Sequence, residues 1–251
     1  MAKRIILKAL GLVSIFWRLI PNRLRRSFFF LFLILESRGK SKQKSLKNLF
    51  AIEDKLNLVV NERALALGNG VHPKHRLIGY HDFFIENLHS CRSILDIGCG
   101  YGSVARSIAI ALPNSQVVGI DNDFERFSRA SEMPSLPNLK FELSDIKTFK
   151  PDNSFDAVIL SNVLEHLDDR VEILKFIQET TQSSRFLIRV PLFERHWTVP
   201  MRQELGVNFF QDEDHKIEHT LDQFCDEVIS ANFRIRTLVT RWGEIWSVCE
   251  K

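Results

Sequence analysis

The sequence predicts an α/β protein: a doubly wound, largely parallel seven-stranded sheet carrying an N-terminal helical extension. Three observations carry that prediction. From Ser93 onward the 251-residue chain contains seven apolar runs of strand length. A glycine turn, Gly98-Cys99-Gly100-Tyr101-Gly102, joins the first run to a helix with an apolar face. The earlier runs alternate with helical patterns, as a parallel sheet with crossover connections requires.

Composition sets the outer bounds. With 45% hydrophobic residues, 11 Gly and 8 Pro, the chain is globular rather than low-complexity or collagen-like. Its formal net charge of +3 hides an asymmetry. Residues 1–44 carry eleven Lys and Arg against the single acid Glu36, leaving 23 basic and 30 acidic residues in the remainder, a net of −7. A basic head on an acidic body directs the head toward an anionic surface, and no nucleic-acid partner is expected for the body. The four cysteines, Cys91, Cys99, Cys225 and Cys249, share no C-x-x-C spacing, so a reduced, cytoplasmic compartment is expected.

The head contains two apolar stretches, residues 9–17 and residues 27–35 (SFFFLFLIL). Both are far shorter than the roughly 20 residues that a spanning helix needs. Lys8 interrupts the apolar region just ahead of the first stretch and no small-residue cleavage pattern follows, so a secretory signal is not expected. On a helix Ile5, Leu12, Phe16 and Leu19 fall near one another, with Lys3, Arg4, Lys8 and Arg18 supplying charge. Pro21 ends that helix before a second, Phe-rich one. Two readings stand side by side: an interfacial amphipathic anchor on an anionic cytoplasmic leaflet, or a pair of helices packed on the body. Three adjacent phenylalanines beside Arg23, Arg25 and Arg26 favour the anchor. Residues 41–48 read as a polar, basic linker. The expected organisation is therefore an extension over 1–44, a linker and lead-in helix over 45–71, and the main domain over 72–251.

In the main domain, SILDIG (93–98) reads as a buried strand and SVARSIAIAL (103–112) as the helix after the turn. Such a unit presents backbone N–H groups to a ligand. Ser103 stands where the dinucleotide pattern G-x-G-x-x-G/A has its third small residue, so that pattern is not met. Asp96, two residues before Gly98, would repel a pyrophosphate and suits a ligand bearing an ammonium and a sulfonium. QVVGI (116–120) ends in Asp121, placed to accept both hydroxyls of a ribose. LKFEL (139–143) precedes Ser144 and Asp145, whose carboxylate can accept from an adenine amino group. FDAVIL (155–160) leads into SNVLEHLDD. In an open parallel sheet all these groups lie at the carboxyl ends of strands, where ligands bind. RFLIRV (185–190) reads as the fifth strand and residues 220–231 as an amphipathic helix. FRIRTLVT and EIWSVC form a hairpin-like terminal pair.

ILDIGCGYG, GIDND, Ser144-Asp145 and FDAVILSNVLEHLDD, in that order and at that spacing, resemble motifs I to IV of the class I S-adenosylmethionine-dependent methyltransferases. The resemblance covers residues 72–251 and implies a Rossmann-like fold with S-adenosyl-L-methionine as cofactor. It implies that Asp96, Gly98, Gly100 and Tyr101 border the methionine end and that Asp121 and Asn122 hold the ribose. Asp145 and Ile146 would hold the adenine, with Ser161 and Asn162 at the floor. Asn232-Phe233 replaces a Gly-Phe common in the family, a change in a turn away from the cofactor.

Three patches compete for the second substrate. One is His72, His75 and Arg76, with Tyr80 and His81, ahead of the first strand; its histidines are read as ordering a lid. The second is Glu165-His166 after the fourth strand. The third is the connection 191–219, read as a substrate cap carrying Trp197, Arg202, Phe210 and His215. Within the resemblance a His before the helix that follows the fifth strand faces the acceptor. That ranks His215 ahead of His166 as general base or acceptor-orienting residue, the alternative being a surface His that caps the helix. Residues 215–219 match H-x-x-E-H, but their place at the start of a helix in such a domain argues against a zinc-protease site. Glu165-His166 resembles the pair that supports a metal in some methyltransferases. Asn162 stands where those carry an earlier acid, and no metal is expected.

The expected function is O-methylation of a sugar or lipid-linked glycan precursor, at the inner face of the cytoplasmic membrane. Its acceptor class rests on a weaker resemblance, of the segments from GNGVHPKHRL to IEHT, to methyltransferases associated with bacterial surface-polysaccharide synthesis. A quinone, another lipid or a small molecule is the alternative acceptor. From a different class comes a non-catalytic cofactor-binding partner protein, disfavoured because nothing in the turn or its acids is degenerate.

Overall fold

A computed structural model describes residue 14, residues 16–69 and residues 71–251. The first expected helix, around Ile5 and Leu12, lies for the most part outside the described residues. The chain divides into two compact units, Met1–Ala64 and Leu65–Lys251.

The first unit contains α1 (Asn22–Ser37) and most of α2 (Lys42–Leu67). Pro21 occupies the N-cap of α1, where its fixed φ suits the turn into a helix. No residue of α1 is buried, and Phe29, Phe30 and Phe32 are each more than half exposed. Asn48 of α2 donates to Glu36 of α1. Among the described residues no helix is long and apolar enough to cross a membrane. The segment read as a linker is instead the first turns of α2. Ser41 Oγ accepts from the Lys44 N–H at 3.2 Å, an N-cap bond. A polar first turn without apolar spacing gives no periodic signal, which is why the sequence conceals this helix.

The second unit opens with α3 (Lys74–Ile78) and α4 (Tyr80–Glu86), joined at Gly79. There follow β1 (Ser93–Ile97), α5 (Ser103–Ala111), β2 (Gln116–Asp121), α6 (Phe124–Glu132), β3 (Leu139–Leu143) and β4 (Ala157–Ser161). The chain continues through α7 (Arg170–Thr181), β5 (Arg185–Pro191), α8 (Thr198–Glu204), α9 (Leu221–Ser230), β6 (Arg234–Arg241) and β7 (Glu244–Glu250). One sheet of order β3-β2-β1-β4-β5-β7-β6 results. The first five strands are parallel; β7 runs antiparallel between β5 and β6. This is the doubly wound seven-stranded sheet that the sequence predicts. Residue alternation along the strands builds a core on each face. Leu95, Ile97, Leu160 and Ile188 pack with Leu174 of α7 and Phe224 of α9. Ile94, Ile159 and Leu187 pack with Phe84 of α4 and Ile108 of α5. Strands covered on both faces read as continuous apolar runs, as β1, β4 and β5 do. The strand order reverses between β1 and β4, so a crevice opens at their carboxyl ends.

Candidate active site

Gly98, the first residue past β1, borders two cavities at that crevice, one of about 300 Å³ and one of about 200 Å³. It adopts φ 66°, and a Cβ there would lie 2.6 Å from Val163 Cγ2. Only glycine allows the chain to pass between β1 and the segment after β4 at this point.

The larger cavity is lined by Asp121, Asn122, Ser144, Ile146, Asn162 and His166, among others. Asp121 is buried; its Oδ2 accepts from the Gly100 N–H at 2.7 Å and its Oδ1 from the Asp123 N–H at 2.9 Å. One carboxylate thus fixes both the glycine turn and the start of α6 while facing the cavity. Asp145 is exposed between Ser144 and Ile146, accepting from the Lys147 N–H at 2.8 Å. Asn162 takes a left-handed backbone, φ 58°, and its Oδ1 is buried without a partner.

The smaller cavity is lined by His75, Tyr80, Asp96, Tyr101, Ser161 and Arg189, among others. Asp96 is 1% exposed and its Oδ2 has no partner. Burial pushes its carboxyl up to about 7, opposed by a hydrogen bond from the Ala105 backbone and reinforced by Asp121. A buried, uncompensated carboxylate at a cavity wall fits a cationic group, and an ammonium is the charge expected there. With Asp121 facing the adjoining cavity, these residues fit a ligand with a ribose at one end and an amino acid at the other.

Arg189 is the residue that sequence reasoning missed. Its guanidinium lies 3.9 Å from the centre of the Tyr80 ring. It forms a buried two-point pair with Glu244, Nε to Oε2 at 2.7 Å, and Nη1 donates to Ser161 Oγ at 3.3 Å. The available signal was a charge inside an apolar strand, RFLIRV. A side chain of that kind is buried only when paired.

The acceptor candidates fare unequally. His75 reaches the smaller cavity and hydrogen-bonds the Tyr80 hydroxyl. His72, Arg76, Trp197, Arg202 and Phe210 line neither cavity. Arg76 and Trp197 are exposed, while His72 Nδ1 accepts from the Lys74 N–H at 3.1 Å. Arg202 is buried and donates to the Asn208 carbonyl at 3.0 Å, tying α8 to the rest of the cap. Phe210 stacks on Phe209 at 4.3 Å.

His215 departs from its expected position. Its side chain is fully buried and Nδ1 pairs with Glu218 at 2.8 Å, so it neither faces an acceptor directly nor sits at the surface as a helix cap. Thr220 caps α9 instead, in a reciprocal box with Gln223. His166 is the half-exposed ring that lines the larger cavity, with Nδ1 3.2 Å from Asp214 Oδ2. The two imidazoles meet edge to face at 4.6 Å. Burial lowers the pKa of His166, against the pull of Asp214. For His215 burial also acts downward, but the Glu218 hydrogen bond and nearby carboxylates outweigh it and the pKa is raised. The H-x-x-E-H residues do not act as one motif. Glu218 takes His215, Arg195 and the Gln211 N–H, whereas His219 Nε2 contacts Glu227 at 3.0 Å.

This sheet order, with its crevice and glycine turn, is the Rossmann-like fold of the class I methyltransferases. Residues 94–183 match the profile of the family described as "Methyltransferase domain". Trans-aconitate 2-methyltransferase of Variovorax paradoxus (strain S110) is 34% identical over 82 residues, 32% of this chain and 31% of that one. The chain spans about a third or less of the length of the curated relatives it matches first. Human N-acetylserotonin methyltransferase in complex with SAM superposes with a TM-score of 0.57 at 18% identity, covering 76% of this chain and 56% of that one. Magnesium protoporphyrin IX methyltransferase from Synechocystis PCC 6803 with bound SAH gives 0.55 at 16% identity, covering 69% and 82%. These two likenesses establish the fold.

Proposed function

We propose that the chain is an S-adenosylmethionine-dependent methyltransferase acting on a hydroxyl of a sugar or lipid-linked glycan precursor at the inner membrane surface. The observation that carries the methyl-transfer reading is the pair of cavities joined at Gly98, with uncompensated Asp96 in one and Asp121 facing the other. When bound, the cofactor supplies a methyl group on a sulfonium. Asp96 pairs its ammonium, Asp121 and Asn122 receive the ribose, and Asp145 and Ile146 receive the adenine. Gly98, Gly100 and Tyr101 border the methionine end, with Ser161 and Asn162 beneath. His166 orients the acceptor at the cavity wall and His215 positions His166 from behind. Methyl displacement from a sulfonium is in-line, so orientation lowers most of the barrier.

Binding of S-adenosylhomocysteine by calorimetry, followed by mass spectrometry of products from labelled cofactor and cell extract, tests this reading. A labelled glycan or glycan-lipid product is expected. A labelled quinone or other lipid would move the acceptor to that class. Cofactor binding without turnover would make the chain a binding partner rather than an enzyme. His166→Ala and His215→Ala are each expected to lower turnover about 100-fold by misplacing the acceptor. Cofactor affinity should stay unchanged; a matching loss of affinity would move both residues into the cofactor site.

The membrane part of the proposal rests on α1. Its exposed phenylalanines follow a turn carrying Arg23, Arg25 and Arg26, which suits an anionic leaflet. Each basic residue near such a surface adds about 1 kcal/mol. The full-length protein is expected to sediment with phosphatidylserine vesicles and to be released by salt. Replacing Phe29, Phe30 and Phe32 together by Ser should abolish sedimentation. A wild-type protein that stays in the supernatant at low salt would sink the anchor.

A further inference from the structure

Nine buried side-chain polar atoms among the described residues have no hydrogen-bond partner. Three of them belong to two residues at one place, both carboxylate oxygens of Glu165 and Nε2 of His215, and a fourth is Asn162 Oδ1, three residues before Glu165. Interiors pair such atoms almost without exception, so a concentration of orphans marks a missing partner. Glu165 is 0% exposed, and no other residue donates a hydrogen bond to either of its oxygens. Its backbone is engaged, since its carbonyl accepts from the Lys216 N–H at 2.7 Å. The side chain is thus carried on a fixed turn, with the His166 and His215 rings as its neighbours.

The surroundings say what the partner is. Glu165, His166 and His215 each offer one ligand atom, all within 4.8 Å of one another. His215 Nδ1 is held by Glu218, whose other oxygen is held by Arg195, and this leaves Nε2 buried without a partner. Asp212 Oδ2 stands 3.6 Å from that nitrogen, beyond hydrogen-bonding distance. Asp214 engages His166 Nδ1 at 3.2 Å, which leaves the opposite ring nitrogen for another partner. An imidazole fixed through one nitrogen by a carboxylate is the usual outer shell of a metal ligand. A cation would take up these ligand atoms together and supply the charge that a buried carboxylate calls for.

We propose that Glu165, His166 and His215 bind one divalent transition-metal ion, with a coordination position open to the cavity that His166 lines. Two imidazoles and one carboxylate favour Zn²⁺ or a neighbouring first-row ion over Mg²⁺, which prefers oxygen ligands. Three protein ligands beside a cavity leave room for a further ligand, unlike a closed structural site. An acceptor hydroxyl could take that position and be polarised there. That last role rests on the methyl-transfer reading; the binding site itself does not.

Chelator-treated full-length protein, titrated with Zn²⁺ by calorimetry and followed by thermal melting, tests the site. One equivalent is expected to bind and to raise the melting temperature, and Mg²⁺ at equal concentration should do neither. Glu165→Gln keeps the volume and removes the charge, and should weaken Zn²⁺ binding by at least about tenfold. Glu218→Gln should cost about 10- to 100-fold by releasing the His215 ring. Should the buried variants fail to fold, the half-exposed His166→Ala keeps the test decisive. No binding by the wild type, or Zn²⁺ bound equally well by folded His166→Ala, overturns the site. S-adenosylhomocysteine binding on the same samples separates the two readings, because its absence with Zn²⁺ bound would overturn only the methyltransferase.

Discussion

Asp121→Ala is expected to weaken S-adenosylhomocysteine binding by more than tenfold and to loosen the glycine turn. In the proposed complex the carboxylate accepts from two ribose hydroxyls, and hydrogen bonds to charged groups contribute about 1.5–3 kcal/mol each. The same carboxylate already accepts from the N–H groups of Gly100 and Asp123. Alanine strands both donors and removes what sets the separation between the ends of β1 and β2. Asp121→Asn keeps the shape but turns an amide N–H toward one of these backbone donors, so it should be nearly as damaging. Calorimetry gives the affinity, and far-UV circular dichroism verifies the fold. An unchanged dissociation constant in a folded variant would place the ribose elsewhere.

Those two backbone bonds mark the limit of what the sequence discloses. The order of apolar runs and the residues ending them specify the sheet, because parallel strands buried on both faces need continuous apolar runs and ligand groups collect at their carboxyl ends. Asp96, Gly98 and Asp121 were therefore legible as residues that line the crevice, each adjacent to its own strand signal. Partnerships across the fold were not. Arg189 and Glu244 are paired by the antiparallel β5–β7 ladder, whose register no local pattern fixes. Glu165 and His166 are neighbours in sequence, but His215 joins them only when the cap folds back over the end of β4. Read alone, His215 is a polar residue ahead of a helix. Its burial against Glu218 follows from the Arg195 and Gln211 contacts, which lie in irregular segments without periodicity. The start of α2 was hidden for a related reason: a lysine-rich first turn carries no apolar spacing.

Asp96→Asn is expected to remove most cofactor affinity while making the protein more stable at alkaline pH. In the proposed cofactor complex the Asp96 charge meets an ammonium; in the free protein its Oδ2 has no partner. Burial therefore holds its carboxyl at about 7, above the ordinary 3.8. Below 3.8 the group is protonated in both folded and unfolded chains and has no effect on stability. Between 3.8 and about 7 the folded chain retains a proton that the unfolded chain has released, so stability falls as pH rises. Above 7 the loss levels off at roughly 4 kcal/mol, an upper bound set by the gap between the two values. Asparagine can still accept from the Ala105 N–H but has no proton to lose, so this cost disappears. The melting temperature of Asp96→Asn should exceed that of the wild type at pH 8, and the difference should shrink toward zero near pH 4. Cofactor affinity of the wild type should fall as pH drops below 7, because the ammonium needs the ionised carboxylate; the variant should bind weakly at every pH. A variant less stable than the wild type at pH 8, or one that retains pH-dependent cofactor binding, would show that Asp96 is not the uncompensated charge in the smaller cavity.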